Sequence, residues 1–107
     1  METNPGSEAK KRLIVALDVD SPEKAKKIVC GLIGEVGMFK VGMELFPRGG
    51  PELIRKIKEA GFDVFLDLKF DDIPNTVAGA IRSAVALGVK LCTIHASGGR
   101  AMMTAAA

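Results

Sequence analysis

The chain has 107 residues, 48% of them hydrophobic and 26% charged, with a formal net charge of +2. This is the size and balance of one small globular domain. Scattered basic residues and the absence of Trp and Tyr argue against a nucleic-acid surface with stacking aromatics, and no apolar run approaches the length that crosses a bilayer.

Residues 1–11 are polar and hold no apolar signal-peptide core. They read as a flexible N-terminal segment, with residues 12–107 as the domain proper. The first strand pattern begins near Leu13 and closes on Asp18. Ser21 can then cap a helix whose first position suits Pro22. Ala25, Ile28, Val29, Leu32, Ile33 and Val36 follow helical spacing, with Glu23, Lys24, Lys26 and Lys27 facing out. A second strand starts at Met38 and carries Lys40. Pro51 opens the next helix, Leu53, Ile54 and Ile57 form its stripe, and Gly61 suits its C-terminal end. The third strand starts at Asp63. Pro74 opens the helix after it, lined by Val77, Ile81, Ala84 and Val85 and closed by Gly88. The fourth strand runs from about Val89 to His95. Gly98-Gly99 and the beginning of a fourth helix follow, and the alanines 105–107 look like a cut rather than a finished end. Met38, Met43, Met102 and Met103 read as core filling. Cys30 and Cys92 lack CxxC spacing and read as small buried hydrophobes in a reducing compartment, so the expected location is cytoplasmic.

The four strand starts lie roughly 25 residues apart. Strands alternating with helices at this spacing mean βαβ units and a parallel sheet. Two architectures fit, a small doubly wound open sheet and half of an eight-stranded (βα) barrel. Polar or charged residues close every strand: Asp18, Lys40, Asp67 with Lys69, and His95. An open sheet places its ligand at one switch point, whereas a barrel uses the carboxyl ends of all its strands. No G-x-G-x-x-G follows the first strand. The expected fold class is therefore α/β, a (βα) TIM-type barrel of which the chain supplies the first four βα units, a half-barrel ending within helix 4.

The third strand carries the chemistry. Alternation puts Val64, Leu66, Leu68 and Phe70 on one side and Phe65, Asp67 and Lys69 on the other. Charge inside an apolar strand is costly unless paired. Asp67, Lys69 and Asp72 form D-x-K-x-x-D, and Lys40 comes from the neighbouring strand. Two acids interleaved with two bases can all stay ionised, because each ammonium relieves the repulsion between carboxylates. Such a site suits destabilising a substrate carboxylate and protonating the carbon it leaves. A buried salt-bridge network or a solvated strand end is the plainer reading of any D-x-K, but the run continues through Pro74-Asn75-Thr76 and the other strand ends are charged too. Asp18 suits two roles equally, capping the turn at Asp20-Ser21 or accepting hydrogen bonds from sugar hydroxyls. His95 reads as a satisfied core histidine rather than a metal ligand, for there is no second His. Gly98-Gly99 reads as a turn, with phosphate binding at the following helix as the sharper alternative.

These residues resemble a known family. Leu13-Ile14-Val15-Ala16-Leu17-Asp18, Phe39-Lys40-Val41-Gly42-Met43-Glu44-Leu45-Phe46, Leu66-Asp67-Leu68-Lys69-Phe70, Asp72-Ile73-Pro74-Asn75-Thr76-Val77 and Thr93-Ile94-His95-Ala96-Ser97-Gly98-Gly99 are similar, in order and spacing, to the motifs of orotidine 5'-phosphate decarboxylase. The resemblance implies a homodimer with sites at the subunit interface. It also implies decarboxylation of orotidine 5'-phosphate to uridine 5'-phosphate with neither cofactor nor metal. By the same resemblance Lys69 would protonate C6 of the pyrimidine and Asp67 would crowd the departing carboxylate. Lys40 would bridge Asp67 and ribose hydroxyls, Asp18 would hold the ribose, and Asp72 with Thr76 would reach the partner subunit's site.

Two departures accompany the resemblance. Asp71 stands where the family commonly has histidine. Its added negative charge beside Asp72 is expected to weaken the set of Lys40, Asp67, Lys69 and Asp72 or raise a neighbouring carboxylate's pKa, and a different pH dependence of activity in Asp71→His is the check. Only four of the eight units are present, without the later loops and the arginine that grip the phosphate, so the chain alone is expected to be inactive or nearly so. Open edges at strands one and four imply dimerisation, aggregation or partial order. Two other readings stand beside this one: a metal-dependent sugar-phosphate decarboxylase or aldolase of the same superfamily, and a half-barrel module that assembles with itself and has no activity.

Overall fold

A computed structural model describes residues 5–107; residues 1–4 of the N-terminal segment lie outside the described residues. The chain runs α1 (Pro5–Lys11), β1 (Ile14–Ala16), α2 (Pro22–Gly31), β2 (Met38–Gly42), α3 (Phe46–Glu59), β3 (Asp63–Phe70), α4 (Pro74–Ala86), β4 (Leu91–Ile94) and α5 (Arg100–Ala106). The four strands form one parallel sheet in the order β1-β2-β3-β4. This is a partial (βα) barrel, with β1 and β4 at its two edges.

Local signals explain most boundaries. The Ser21 side chain accepts a hydrogen bond from the Lys24 amide at 3.2 Å, and Pro22 occupies the first turn of α2. Pro74 does the same for α4. Gly61 and Gly88 take φ values of 96° and 79°, which a side chain would resist, and so turn the chain from helix back to strand. α3 begins at Phe46, earlier than Pro51 suggests. Gly50 breaks it with φ 56° and ψ −158°, since the residue before a proline is driven out of the helical region.

Sequential parallel strands joined by right-handed crossovers put their connecting helices on one face of the sheet. There Leu17, Phe39, Val41, Val64 and Leu66 pack with Ala25 and Val29 of α2, Leu53, Ile54 and Ile57 of α3 and Ala84 of α4. The rings of Phe39 and Phe62 meet edge to face, 4.7 Å apart, the arrangement favoured by their quadrupoles. The other face follows from register. Ala16 aligns with Lys40, Lys40 with Phe65 and Phe65 with Leu91, so these four share the uncovered side. Ile14 and Leu91, at the two edges, are each 47% exposed.

Several expectations need correction. The N-terminal segment is helical from Pro5, with Glu8 in its first turn and Lys10 and Lys11 in its last, as the helix dipole favours. Lys10 also pairs with Glu35 at 3.0 Å. Cys30 is exposed near the end of α2, and Cys92 is only partly buried; burial pushes the Cys92 thiol up. Of the methionines read as core, Met102 is buried, whereas Met43 and Met103 are exposed because they fall on the outer sides of a loop and a terminal helix.

Candidate active site

β1, β2 and β3 deliver their charges to one end of the sheet. Asp67 is 7% exposed and is the one charged residue among the buried ones described. Its register partner on β2 is Gly42, which has no side chain to crowd it. Lys69 Nζ lies 2.8 Å from Asp67 Oδ2, Lys40 Nζ lies 3.4 Å from the same oxygen, and Lys40 Nζ is also 3.9 Å from Asp18 Oδ1. The result is a row of alternating charge, Asp18, Lys40, Asp67, Lys69, running across three strands. The structure thus brings together four of the six predicted site residues.

The hydrogen bond from Lys69 holds the Asp67 carboxyl at about 2, below the ordinary 3.8, helped by the Thr93 hydroxyl and by Lys40 against the cost of desolvation. Asp67 is therefore a carboxylate throughout the physiological range. A fixed anion of this kind repels a second carboxylate brought beside it, while a neighbouring ammonium can supply a proton.

Asp72 and Thr76 sit apart from the row. Asp72 Oδ1 accepts the Ile73 amide at 2.7 Å, a local turn bond of the kind aspartate favours. Both residues are exposed at the start of α4. They line a cavity of about 390 Å³ whose wall also includes Met43, Lys69, Asp71 and His95. His95 is exposed rather than buried in the core, because β4 ends just before it and its side chain faces this cavity. Asp71 lines the same cavity, with an oxygen close to Gly98. Gly98 and Gly99 form a turn: a short 3-10 helix, Ala96–Gly98, leads to Gly99 at φ 98°.

Sequence reasoning missed Thr93. Its hydroxyl donates to Asp67 Oδ1 at 2.7 Å and accepts the Lys69 amide at 3.0 Å. Counting back two from His95 places Thr93 on the same strand face, a signal that was present but faint.

A half-barrel of parallel strands that gathers an Asp–Lys centre at their carboxyl ends has the layout of a βα-barrel protein's functional face. The chain belongs to the orotidine 5'-phosphate decarboxylase / HUMPS family, whose model matches residues 11–107. It is 57% identical over 100 residues to the orotidine 5'-phosphate decarboxylase of Syntrophotalea carbinolica, covering 94% of this chain and 41% of that protein. It is 54% identical over 99 residues to the one from Moorella thermoacetica, covering 92% and 39%. The crystal structure of orotidine 5'-phosphate decarboxylase from Lactobacillus acidophilus superimposes with a TM-score of 0.79 at 44% identity, over 88% of this chain and 42% of that one. The chain thus spans about two fifths of the length of these curated relatives. Among the described residues no helix is long and apolar enough to cross a membrane.

Proposed function

We propose that this chain supplies the charged half of an orotidine 5'-phosphate decarboxylase site. The observation that carries the reading is the buried Asp67 carboxylate with two ammoniums on one of its oxygens. The orotate carboxylate would be placed against Asp67, where like charge raises its energy before reaction. As the C6–carboxylate bond breaks, carbon dioxide leaves and its bonding electrons remain on C6. Lys69 gives one ammonium proton to that carbon, which yields uridine 5'-phosphate. Lys40 lies between Asp67 and Asp18; it balances the row and, with Asp18, meets the ribose hydroxyls. Nothing in these steps calls for a metal or cofactor.

Asp72 and Thr76 are assigned to the partner subunit's site in a homodimer. Their exposure at the start of α4 and the absence of an ion pair between Asp72 and either lysine among the described residues support this. The phosphate grip would come from the barrel's second half, which the family resemblance puts beyond this chain.

The test mixes this chain with a separately produced C-terminal half of a relative's barrel and follows the absorbance of orotidine 5'-phosphate. Neither half alone should turn over substrate, and the mixture should. Activity that needs an added divalent metal would favour the sugar-phosphate chemistry instead, and an assembled but inert barrel would leave only a scaffold.

A further inference from the structure

Thr93 stands where two irregularities of the sheet coincide. On β3 four residue steps separate Leu66 from Phe70, but their partners on β4, Cys92 and Ile94, are two steps apart. The surplus on β3 lies opposite Thr93 and contains both Asp67 and Lys69. Lys69 has φ 53°, the sole positive φ of a non-glycine residue among those described. That conformation strains an L-residue and persists only where its surroundings hold it. A bulge also takes a backbone amide out of the regular ladder, and that amide needs another acceptor.

The Thr93 hydroxyl answers both needs. Its oxygen accepts the Lys69 amide at 3.0 Å and its hydrogen goes to Asp67 Oδ1 at 2.7 Å. A hydroxyl has a single hydrogen, so its direction is set. The two lysines take the other carboxylate oxygen, Oδ2. Both oxygens of Asp67 are thereby committed, and the plane of the carboxylate is fixed.

We propose that Thr93 is a positioning residue, whose one hydroxyl holds the Lys69 backbone and the Asp67 carboxylate in register with each other. Its catalytic consequence rests on the decarboxylase reading above; its hold on Lys69 does not. Thr93 touches no reacting atom. It sets where Lys69 Nζ stands relative to the carbon that must be protonated, and small errors in such a distance cost large factors in rate.

The test compares Thr93→Val, which keeps the shape and lacks the hydroxyl, with Thr93→Ser, which keeps the hydroxyl. Hydrogen exchange of the Lys69 amide is followed by NMR in this chain. Exchange should be roughly tenfold faster in the valine variant and near wild type in the serine variant, with the β2–β3 amides unchanged. In the barrel completed with a C-terminal half, valine should lower kcat by about 10- to 100-fold with little change in KM, and serine should restore most of it. An unprotected Lys69 amide in the wild type, a valine variant equal to wild type in exchange or in kcat, or a serine variant as impaired as valine would each overturn the proposal. A completed wild-type barrel without turnover would instead remove the decarboxylase reading, and the exchange data would still decide the hold of Thr93 on Lys69.

Discussion

Replacing Lys69 by alanine should lower kcat of the completed barrel by about 10²- to 10⁴-fold, the usual contribution of a positioned general acid, with KM changed far less. The ammonium is 2.8 Å from Asp67 and half exposed, while Lys40 is 3.4 Å from the same oxygen and more enclosed. Removing Lys69 therefore leaves Asp67 one counter-charge and preserves the repulsion on the substrate carboxylate. What is lost is the proton for the carbon. Lys69→Arg separates charge from proton supply. A guanidinium keeps the pairing but holds its proton too tightly to give it up, so it should be about as slow as alanine. Single-turnover loss of orotidine 5'-phosphate is the measurement. An alanine variant within tenfold of wild type would assign the proton to water or to Lys40 instead.

The architecture was legible because its signals are local. Ser21-Pro22 and Pro74 start helices by chemistry that acts within one turn, and Gly61 and Gly88 end them by backbone freedom. The charged row was legible for a different reason. Asp67 and Lys69 break an apolar strand, and period-two alternation puts them on one side. What escaped depends on distant pairing. The β3–β4 register shift comes from the meeting of two strands, so neither strand announces the bulge, the φ of Lys69 or the place of Thr93. α3 starts at Phe46 with Pro47 in its first turn and no side-chain cap, a local signal that the reading from Pro51 passed over. Met43, Met103 and Cys30 were misplaced because apolar character says only that burial is favourable, not that a neighbour exists to provide it. Met43 faces the cavity beside Lys69, where a substrate or partner would find it.

Asp67 should also matter for stability, with a pH dependence of definite sign. Asp67→Ala leaves the Lys40 and Lys69 ammoniums facing each other and the Thr93 hydroxyl without its acceptor. Breaking a buried pair from one side costs about 3–5 kcal/mol; the half exposure of Lys69 points to the lower end. Asp67→Asn keeps the shape and an acceptor for Thr93 but removes the charge, so it isolates the ionic part. The folded carboxyl titrates at about 2, below its ordinary 3.8. A group whose pKa falls on folding contributes stability that is whole above the unfolded value and is lost as pH drops through the folded one. The wild type should therefore exceed Asp67→Asn in urea-unfolding free energy by a constant amount from pH 7 down to about 4, and the gap should close between about 4 and 2. A gap that persists at the acid end would mean that the difference between aspartate and asparagine does not come from the carboxylate's charge. The two lysines would then be gathered by the fold of the strands and not by the carboxylate between them.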